Sequence, residues 1–177
     1  MWLSNSTIAR LRDQLRARGQ RPSISLGDPA TVSAEAAELM AVASEYGPIC
    51  EAMYLMMSAD GKITNDEREV LRGALRNLSG DTVRSVYVEA MLDQAAKKVA
   101  EHGRATRLLE VVGHLRDDPA RAEVAFVLAA AVAFADNAIA DEENELLNSL
   151  AEGLGIDDTR ADELLDSVEA DLGERSA

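Results

Sequence analysis

Apolar and polar residues follow one another with helical spacing along almost the whole chain. In most segments the apolar side chains recur every three or four positions, which places them on one face of a helix. No segment of the sequence shows the apolar–polar alternation, rich in β-branched and aromatic residues, that is typical of a half-buried strand. The pattern therefore predicts an all-α protein of roughly eight helices.

Two segments, 49–58 and 124–135, are apolar almost all round rather than on one face. A helix of this kind is buried on every side, so we expect these two helices to lie at the centre of the fold. Gly47 and Pro48 precede the first of them. We expect a break there, with the preceding helix ending at residue 46, because proline disrupts the interior of a helix but fits its first turn.

Each apolar segment leads into a short acidic turn and then an amphipathic helix, and the two copies are related by a constant offset of 76 positions. The copies span about 49–80 and 125–156, and their amphipathic helices are predicted over 65–78 and 141–154. Such a repeat predicts two pseudo-symmetric halves packed around the two central apolar helices. The identical pairs are Ala59 and Ala135, Asp60 and Asp136, Ile63 and Ile139, Glu67 and Glu143, Glu69 and Glu145, and Leu71 and Leu147.

The N-terminal part of the chain differs in character from the rest. Residues 1–30 are predicted to form a basic helix, at 4–18, followed by a linker, and residues 31–177 to form the helical domain that contains the repeat. The apolar stripe of the basic helix is too narrow for a core helix, and consists of Ile8, Leu11 and Leu15. Residues 1–22 carry five arginines against one aspartate. Three placements stay open for them: the acidic body of the chain itself, an acidic partner, or an anionic membrane.

The overall charge narrows the choice of partners. The chain has 32 Asp and Glu against 18 Lys and Arg, a formal net charge of −14. Such a field repels the phosphates of nucleic acids, so we expect no nucleic-acid partner, and it favours cations or basic proteins. Only 3% of the residues are aromatic, which predicts a core of Ala, Leu, Val and Met side chains.

Cys50 is the only cysteine and lies in an apolar segment, so we expect a buried thiol and no disulfide within the chain. The longest uncharged apolar run, at 124–135, is too short to cross a bilayer. The first five residues lack the basic start and the apolar stretch of a signal peptide. These features predict a cytoplasmic protein, with membrane contact expected only if residues 1–22 provide it.

The pattern Ala-Asp-Gly-x-Ile-x-x-x-Glu, which returns as Ala-Asp-Asn-x-Ile-x-x-x-Glu, resembles the TerB-like family of tellurite-resistance proteins. It is also similar to the N-terminal region of the DjlA co-chaperones, and the likeness covers roughly residues 31–172. The resemblance implies an all-helical fold of two pseudo-symmetric halves, no established catalytic activity, and an acidic patch implicated in divalent-metal binding. By position, that patch comprises Asp60, Glu67, Asp136 and Glu143.

The residues themselves support two roles for this acidic patch. Carboxylate oxygens suit hard cations such as Ca²⁺ or Mg²⁺. Neither copy is an EF-hand, since Lys62 and Ile63 in the first copy, and Ala138 and Ile139 in the second, stand where that loop needs oxygen ligands. The carboxylates also suit a structural role, because Thr64 and Glu67 have the spacing of a capping box and Asp60 is placed to bond the amides of its own turn. The two roles can coexist.

Other chemistry finds little support in the sequence. His102 and His114 are twelve positions apart with no cysteine nearby, which argues against a zinc site. The chain has no glycine-rich phosphate loop and no nucleophile elbow, so we expect no enzyme. A metal-dependent hydrolase would need an open coordination position beside a general base, and the sequence shows neither.

Two hypotheses for function follow. The first is a non-catalytic TerB-like protein that binds divalent cations weakly and acts through protein partners, in tellurite or stress resistance. The alternative is a structural adaptor, or assembly component, that docks a basic partner without metal. The partner and the oligomeric state are not set by the sequence.

Overall fold

The chain folds into α-helices. The computed structural model describes residues 5–17, 34–80, 83–135 and 139–173, and within these ranges it contains eight helices and no strand. The predicted all-α class is therefore confirmed. The helices are α1 (Asn5–Ala17), α2 (Ala34–Met57), α3 (Asn65–Leu78), α4 (Ser85–His102), α5 (Arg104–Leu115), α6 (Pro119–Ala133), α7 (Asp141–Leu154) and α8 (Asp158–Gly173).

Helices α2 and α6 form the centre of the fold, and in the described part of the chain they pack on each other more extensively than any other pair. Every residue of α2 from 49 to 57 and every residue of α6 from 124 to 133 is buried. Their side chains are mostly Ala, Val, Leu and Met, and small side chains let two helix axes approach closely. The two apolar segments therefore lie at the centre, as the sequence predicts. The relation of the two halves by a pseudo-two-fold axis stays a prediction.

Helices α3 and α7, the amphipathic helices of the two repeat copies, begin and end where the sequence predicts, at 65–78 and 141–154. Gly80 follows α3 with φ of +65°, and Gly155 follows α7 with φ of +74°. Glycine adopts this left-handed conformation without a steric penalty, which is why it ends helices so often. Both helices pack on α6, and α7 also packs on α5.

The predicted break at Pro48 is wrong, because α2 runs from Ala34 to Met57 without interruption. Proline has no N–H to donate to the carbonyl of Ser44, four residues earlier. Arg121 of α6 donates to this part of the helix: its Nη2 lies 2.6 Å from the carbonyl oxygen of Glu45 and, at the longer distance of 3.5 Å, reaches that of Ser44. Burial lowers the pKa of Arg121. A side chain from another helix therefore lets α2 continue through its proline.

Helix α1 belongs to the core. Ile8 is 2% exposed and Leu11 is 1% exposed, and the helix packs on α3 and α6. The sequence predicted that the apolar stripe of this helix is too narrow for a core helix. That prediction is wrong, because a helix that lies against two others buries even a narrow stripe. Three placements were open for residues 1–22. The described part of this segment lies on the body of the chain itself, which was the first of them. Residues 18–33, which include the predicted linker, lie outside the described ranges.

Candidate functional site

The first acidic turn connects α2 to α3. The side chain of Asp60 is exposed, and its Oδ1 accepts a hydrogen bond of 2.7 Å from the backbone N–H of Lys62. Gly61, between them, has φ of +80°, a conformation that residues with a side chain rarely adopt. Asp60 therefore has the structural role expected from the sequence, as the residue that closes an Asx turn.

The capping box at the start of α3 forms as predicted. The N–H of Glu67 donates to Thr64 Oγ1 over 3.2 Å. In return, Glu67 Oε2 accepts from the N–H of Thr64 at 2.6 Å and from its hydroxyl at 2.8 Å. Only 6% of Glu67 is exposed. A nearly buried carboxylate is tolerated here because backbone and hydroxyl donors satisfy it.

Arg104, at the start of α5, reaches back to the end of α2. Its guanidinium donates to the carbonyl oxygen of Ala59 over 2.9 Å and to that of Ser58. The last carbonyls of a helix lack partners within the helix and carry partial negative charge. Arg104 therefore occupies, beside the turn of Asp60, the carbonyl oxygens that a cation could otherwise use as ligands.

The second acidic turn repeats half of this arrangement. Glu143 is 7% exposed, and its Oε2 accepts from the N–H of Ala140 at 2.8 Å, as Glu67 does from Thr64. Ala140 has no hydroxyl, so its side chain cannot accept from the N–H of Glu143 as that of Thr64 does from Glu67. Residues 136–138, which include the predicted ligand Asp136, lie outside the described ranges.

Three of the four predicted cation ligands can thus be placed. Asp60 and Glu67 lie on one turn and the helix that follows it, and Glu143 occupies the corresponding place at the start of α7. Within the described ranges, no three His, Cys, Asp or Glu residues come close enough to hold a metal ion. Because Asp136 lies outside the described ranges, the four-residue site stays a prediction.

Sequence reasoning missed a buried ion pair between α2 and α5. Arg107 Nε lies 2.6 Å from Glu51 Oε1, Arg107 Nη2 lies 2.9 Å from Glu51 Oε2, and the hydrogen bond to Glu51 raises the pKa of Arg107. Lys98 Nζ is 3.3 Å from the same Oε2, and Arg107 also donates to Glu110. The available signal was Glu51 itself, a lone carboxylate in a segment that is otherwise apolar.

This ion pair lines a cleft of about 450 Å³ between α2, α4 and α5. Most of the remaining wall is apolar, and includes Leu39, Pro48, Met91 and Val111. The carboxylate of Glu51 is held by two cations, Arg107 and Lys98. It therefore orders the contact between helices and is poorly suited to act as a general base, which needs free access to a substrate proton.

The remaining reactive side chains are one cysteine, which is buried as the sequence predicts, and two histidines. Cys50 is fully buried, and burial, with a smaller effect from Glu51 and Glu89, raises the pKa of its thiol to about 12. His102 and His114 are exposed in the last turns of α4 and α5. In the described part of the chain, no helix has the length and apolar character needed to cross a membrane.

Comparison with known proteins supports the family resemblance. A family model described as tellurite resistance protein TerB matches residues 49–166, two thirds of the chain. The match begins in the apolar half of α2, ends within α8, and contains both acidic turns. No curated protein and no solved structure matches the chain. Taken with the all-helical fold and the duplicated motif, the extent of this match shows that the chain belongs to the TerB family.

Proposed function

We propose that this TerB-family protein is non-catalytic and acts by binding: protein partners on its acidic surface, and divalent cations weakly at its two acidic turns. The observation that carries the proposal is that the glutamate of each repeat copy caps a helix. Glu67 and Glu143 each accept a backbone N–H, from Thr64 and Ala140, at the first turn of a helix. This motif holds carboxylates at two corresponding places, where they cap helices: Glu67 also accepts from the hydroxyl of Thr64, which is itself part of the cap.

The chemistry of these turns supports weak cation binding. Each glutamate uses Oε2 for its cap. At Glu67 the carboxylate has a second oxygen with lone pairs that suit a cation. Asp60 is exposed beside the first cap. A hydrated Mg²⁺ keeps several of its waters and needs only one or two carboxylates, and Ca²⁺ accepts water among its ligands. With few protein oxygens replacing water, the affinity is expected to be low.

The biological setting belongs to the proposal as well. A role in tellurite resistance is proposed from the description of the family model alone, and a wider role in stress resistance is an extension of it. A cytoplasmic location is consistent with a single, buried thiol, which a reducing compartment leaves unpaired. The proposal does not require the chain to contact the tellurite oxyanion, which a strongly acidic protein would repel.

A metal-independent adaptor is the second candidate, and the distribution of charge favours it. Residues 141–173, which form α7, α8 and their connection, carry twelve Asp and Glu against one basic residue, Arg160. Most of the net charge of −14 is therefore concentrated on two helices. A basic partner would be attracted to this surface with or without a cation.

Thermal melting of the full chain in calcium or magnesium tests the cation part of the proposal. A cation that binds only the folded state at ten times its dissociation constant stabilises it by about 1.4 kcal/mol, a rise in Tm of roughly 3–6 °C. We expect Asp60→Asn combined with Asp136→Asn to abolish this rise. A sodium salt of equal ionic strength separates binding from charge screening.

The matched control combines Asp93→Asn with Asp166→Asn, two exposed residues outside the motif that undergo the same change of charge. This control is expected to keep the calcium-dependent rise. If the motif variant keeps it too, the cations bind elsewhere or diffusely, and the metal-independent adaptor becomes the better description.

A further inference from the structure

We propose that the groove between α7 and α8 docks a basic amphipathic helix of a partner protein. The inference rests on the proposed function, in that the chain acts through partners, and it adds the place and the chemistry of the contact. Both helices pack on α6, and the space between them forms a groove of about 690 Å³.

The floor of the groove is apolar. Its apolar lining residues are Phe126, Leu147, Ala151, Ile156, Ala161 and Leu165. Ala151 is the counterpart, at the repeat offset, of Leu75 in α3, which is fully buried. The second copy therefore has a small side chain, which lines the groove, where the first copy has a large one.

The rim of the groove is acidic. Glu152, Asp157, Asp158 and Asp162 line it and are exposed, and none of its lining residues is Lys or Arg. Arg160 is the only basic residue of the two helices. Its Nε lies 2.8 Å from Glu123 Oε1 and its Nη1 lies 2.8 Å from Glu163 Oε2. Its charge is therefore matched by carboxylates that do not line the groove, and the rim stays negative.

An apolar floor between acidic rims selects the chemistry of its occupant. A helix with an apolar stripe buries that stripe in such a groove, and lysines or arginines beside the stripe meet the rim. Nucleic acid is excluded by the sign of the charge. The lining residues of α7 run from Asn144 to Glu152, which corresponds to about 12 Å or two helical turns. The occupant is therefore a basic amphipathic helix that contacts the groove over about two turns.

A model peptide tests this inference with the full chain. The probe is a fluorescein-labelled peptide of about 15 residues, with leucines at i, i+3, i+4 and i+7 and lysines at most other positions. Anisotropy is measured in EDTA, so the outcome is independent of cation binding at the acidic turns. We expect binding that weakens with added salt, and binding about tenfold weaker for a scrambled peptide of the same composition, which lacks an apolar face.

Charge variants locate the contact. Glu152→Gln with Asp162→Asn, on the rim, is expected to weaken binding about fivefold to tenfold. Glu145→Gln with Glu169→Gln removes the same charge from exposed positions of the same helices that do not line the groove. This control is expected to change the affinity by less than about twofold. Equal weakening by both pairs would overturn the assignment to the groove.

Two further variants separate docking in the groove from general charge attraction. Ala161→Glu adds an acidic group to the groove and removes apolar lining. It should weaken binding if the apolar stripe of the peptide lies in the groove. It should strengthen binding if charge attraction alone holds the peptide. Ala151→Leu fills the groove with the residue of the first copy and is expected to weaken binding. Thermal melting checks that both variants fold.

Tighter binding by Ala161→Glu would overturn the proposal, as would no binding by the parent chain. Self-association that excludes the peptide would assign the groove to a second copy, and also overturns it. None of these outcomes bears on the calcium-dependent rise in Tm, so the cation part of the proposed function stands or falls separately.

Discussion

Arg107 and Glu51 form a two-pronged ion pair in the interior, with Nε 2.6 Å from Oε1 and Nη2 2.9 Å from Oε2. Both side chains are more than nine-tenths buried. Each group tolerates burial because the other is present, since an unpaired charge is expensive to remove from water. The pair joins the central helix α2 to α5.

Removing one partner of this pair should destabilise the fold strongly. We expect Glu51→Leu to lower the free energy of unfolding by about 3–5 kcal/mol, because Arg107 stays buried but loses the carboxylate that accepts from its Nε and Nη2. Glu51→Leu with Arg107→Met should recover much of that loss, since an apolar pair needs no partner. Urea denaturation measures both. The exposed Lys97→Met is the control, with a change within about 0.5 kcal/mol. A loss in the double variant that equals the sum of the single losses would contradict this interpretation.

The contact of Arg121 with the proline region of α2 predicts an energetic coupling. Arg121→Met should lower the free energy of unfolding by about 1–3 kcal/mol, because the carbonyls of Ser44 and Glu45 lose the hydrogen bonds that the guanidinium donates. In a Pro48→Ala background the same change should cost less, since alanine returns the missing N–H to the helix. A double-mutant cycle measures the difference. Strict additivity would show that Arg121 does not compensate for the proline.

The two capping sites offer a matched pair of changes. Thr64→Ala removes the hydroxyl that accepts from the N–H of Glu67 and should lower stability by about 1 kcal/mol. Ala140→Thr supplies the equivalent hydroxyl at the start of α7 and should raise stability by about 0.5–1 kcal/mol. Thermal melting of the two variants checks both signs. A destabilised Ala140→Thr would mean that the second turn does not share the geometry of the first.

The buried thiol of Cys50 makes a prediction about pH. Burial raises its pKa from 9.0 to about 12, so the folded state favours the neutral thiol. This contribution to stability is fully present below about pH 9 and is lost as the pH rises toward 12, because the unfolded chain releases the proton first. Cys50→Ala should therefore lose less stability than the parent chain between pH 9 and 11.

Thiol reactivity gives a second check on Cys50. A disulfide reagent should leave the native chain unmodified at pH 8 and react fully once urea unfolds it, because the thiolate is the nucleophile and is scarce in a buried, neutral thiol. Reaction of the native chain at the rate of the unfolded one would contradict the burial of Cys50.

The ends of helices could be read from the sequence because neighbouring residues determine them. Thr64 and Glu67 start α3 as a capping box, and Asp118 starts α6 by accepting from the N–H of Arg121 at 3.1 Å. Gly155 ends α7 in a left-handed conformation. Each of these interactions spans only a few residues, so the residue types and their spacing contain the information.

The features that the sequence did not predict depend instead on contacts between residues that are distant in sequence. The continuity of α2 through Pro48 depends on Arg121 of another helix. The burial of Glu51 depends on Arg107, 56 positions away. For the candidate site, the sequence identified both glutamates and the capping role of Glu67. The groove between α7 and α8 follows from how the two helices rest on α6, which periodicity alone does not specify.

Binding at two separate places on one chain is tested most directly by two-dimensional NMR of the ¹⁵N-labelled full-length protein, titrated first with calcium and then, in EDTA, with the basic peptide. We expect calcium to shift the amide signals of residues 60–67 and 136–143, and the peptide to shift those of 147–165, with little overlap between the two sets. Small shifts spread evenly over all acidic surfaces in both titrations would contradict both sites, and would show that the chain attracts cations only through its overall charge.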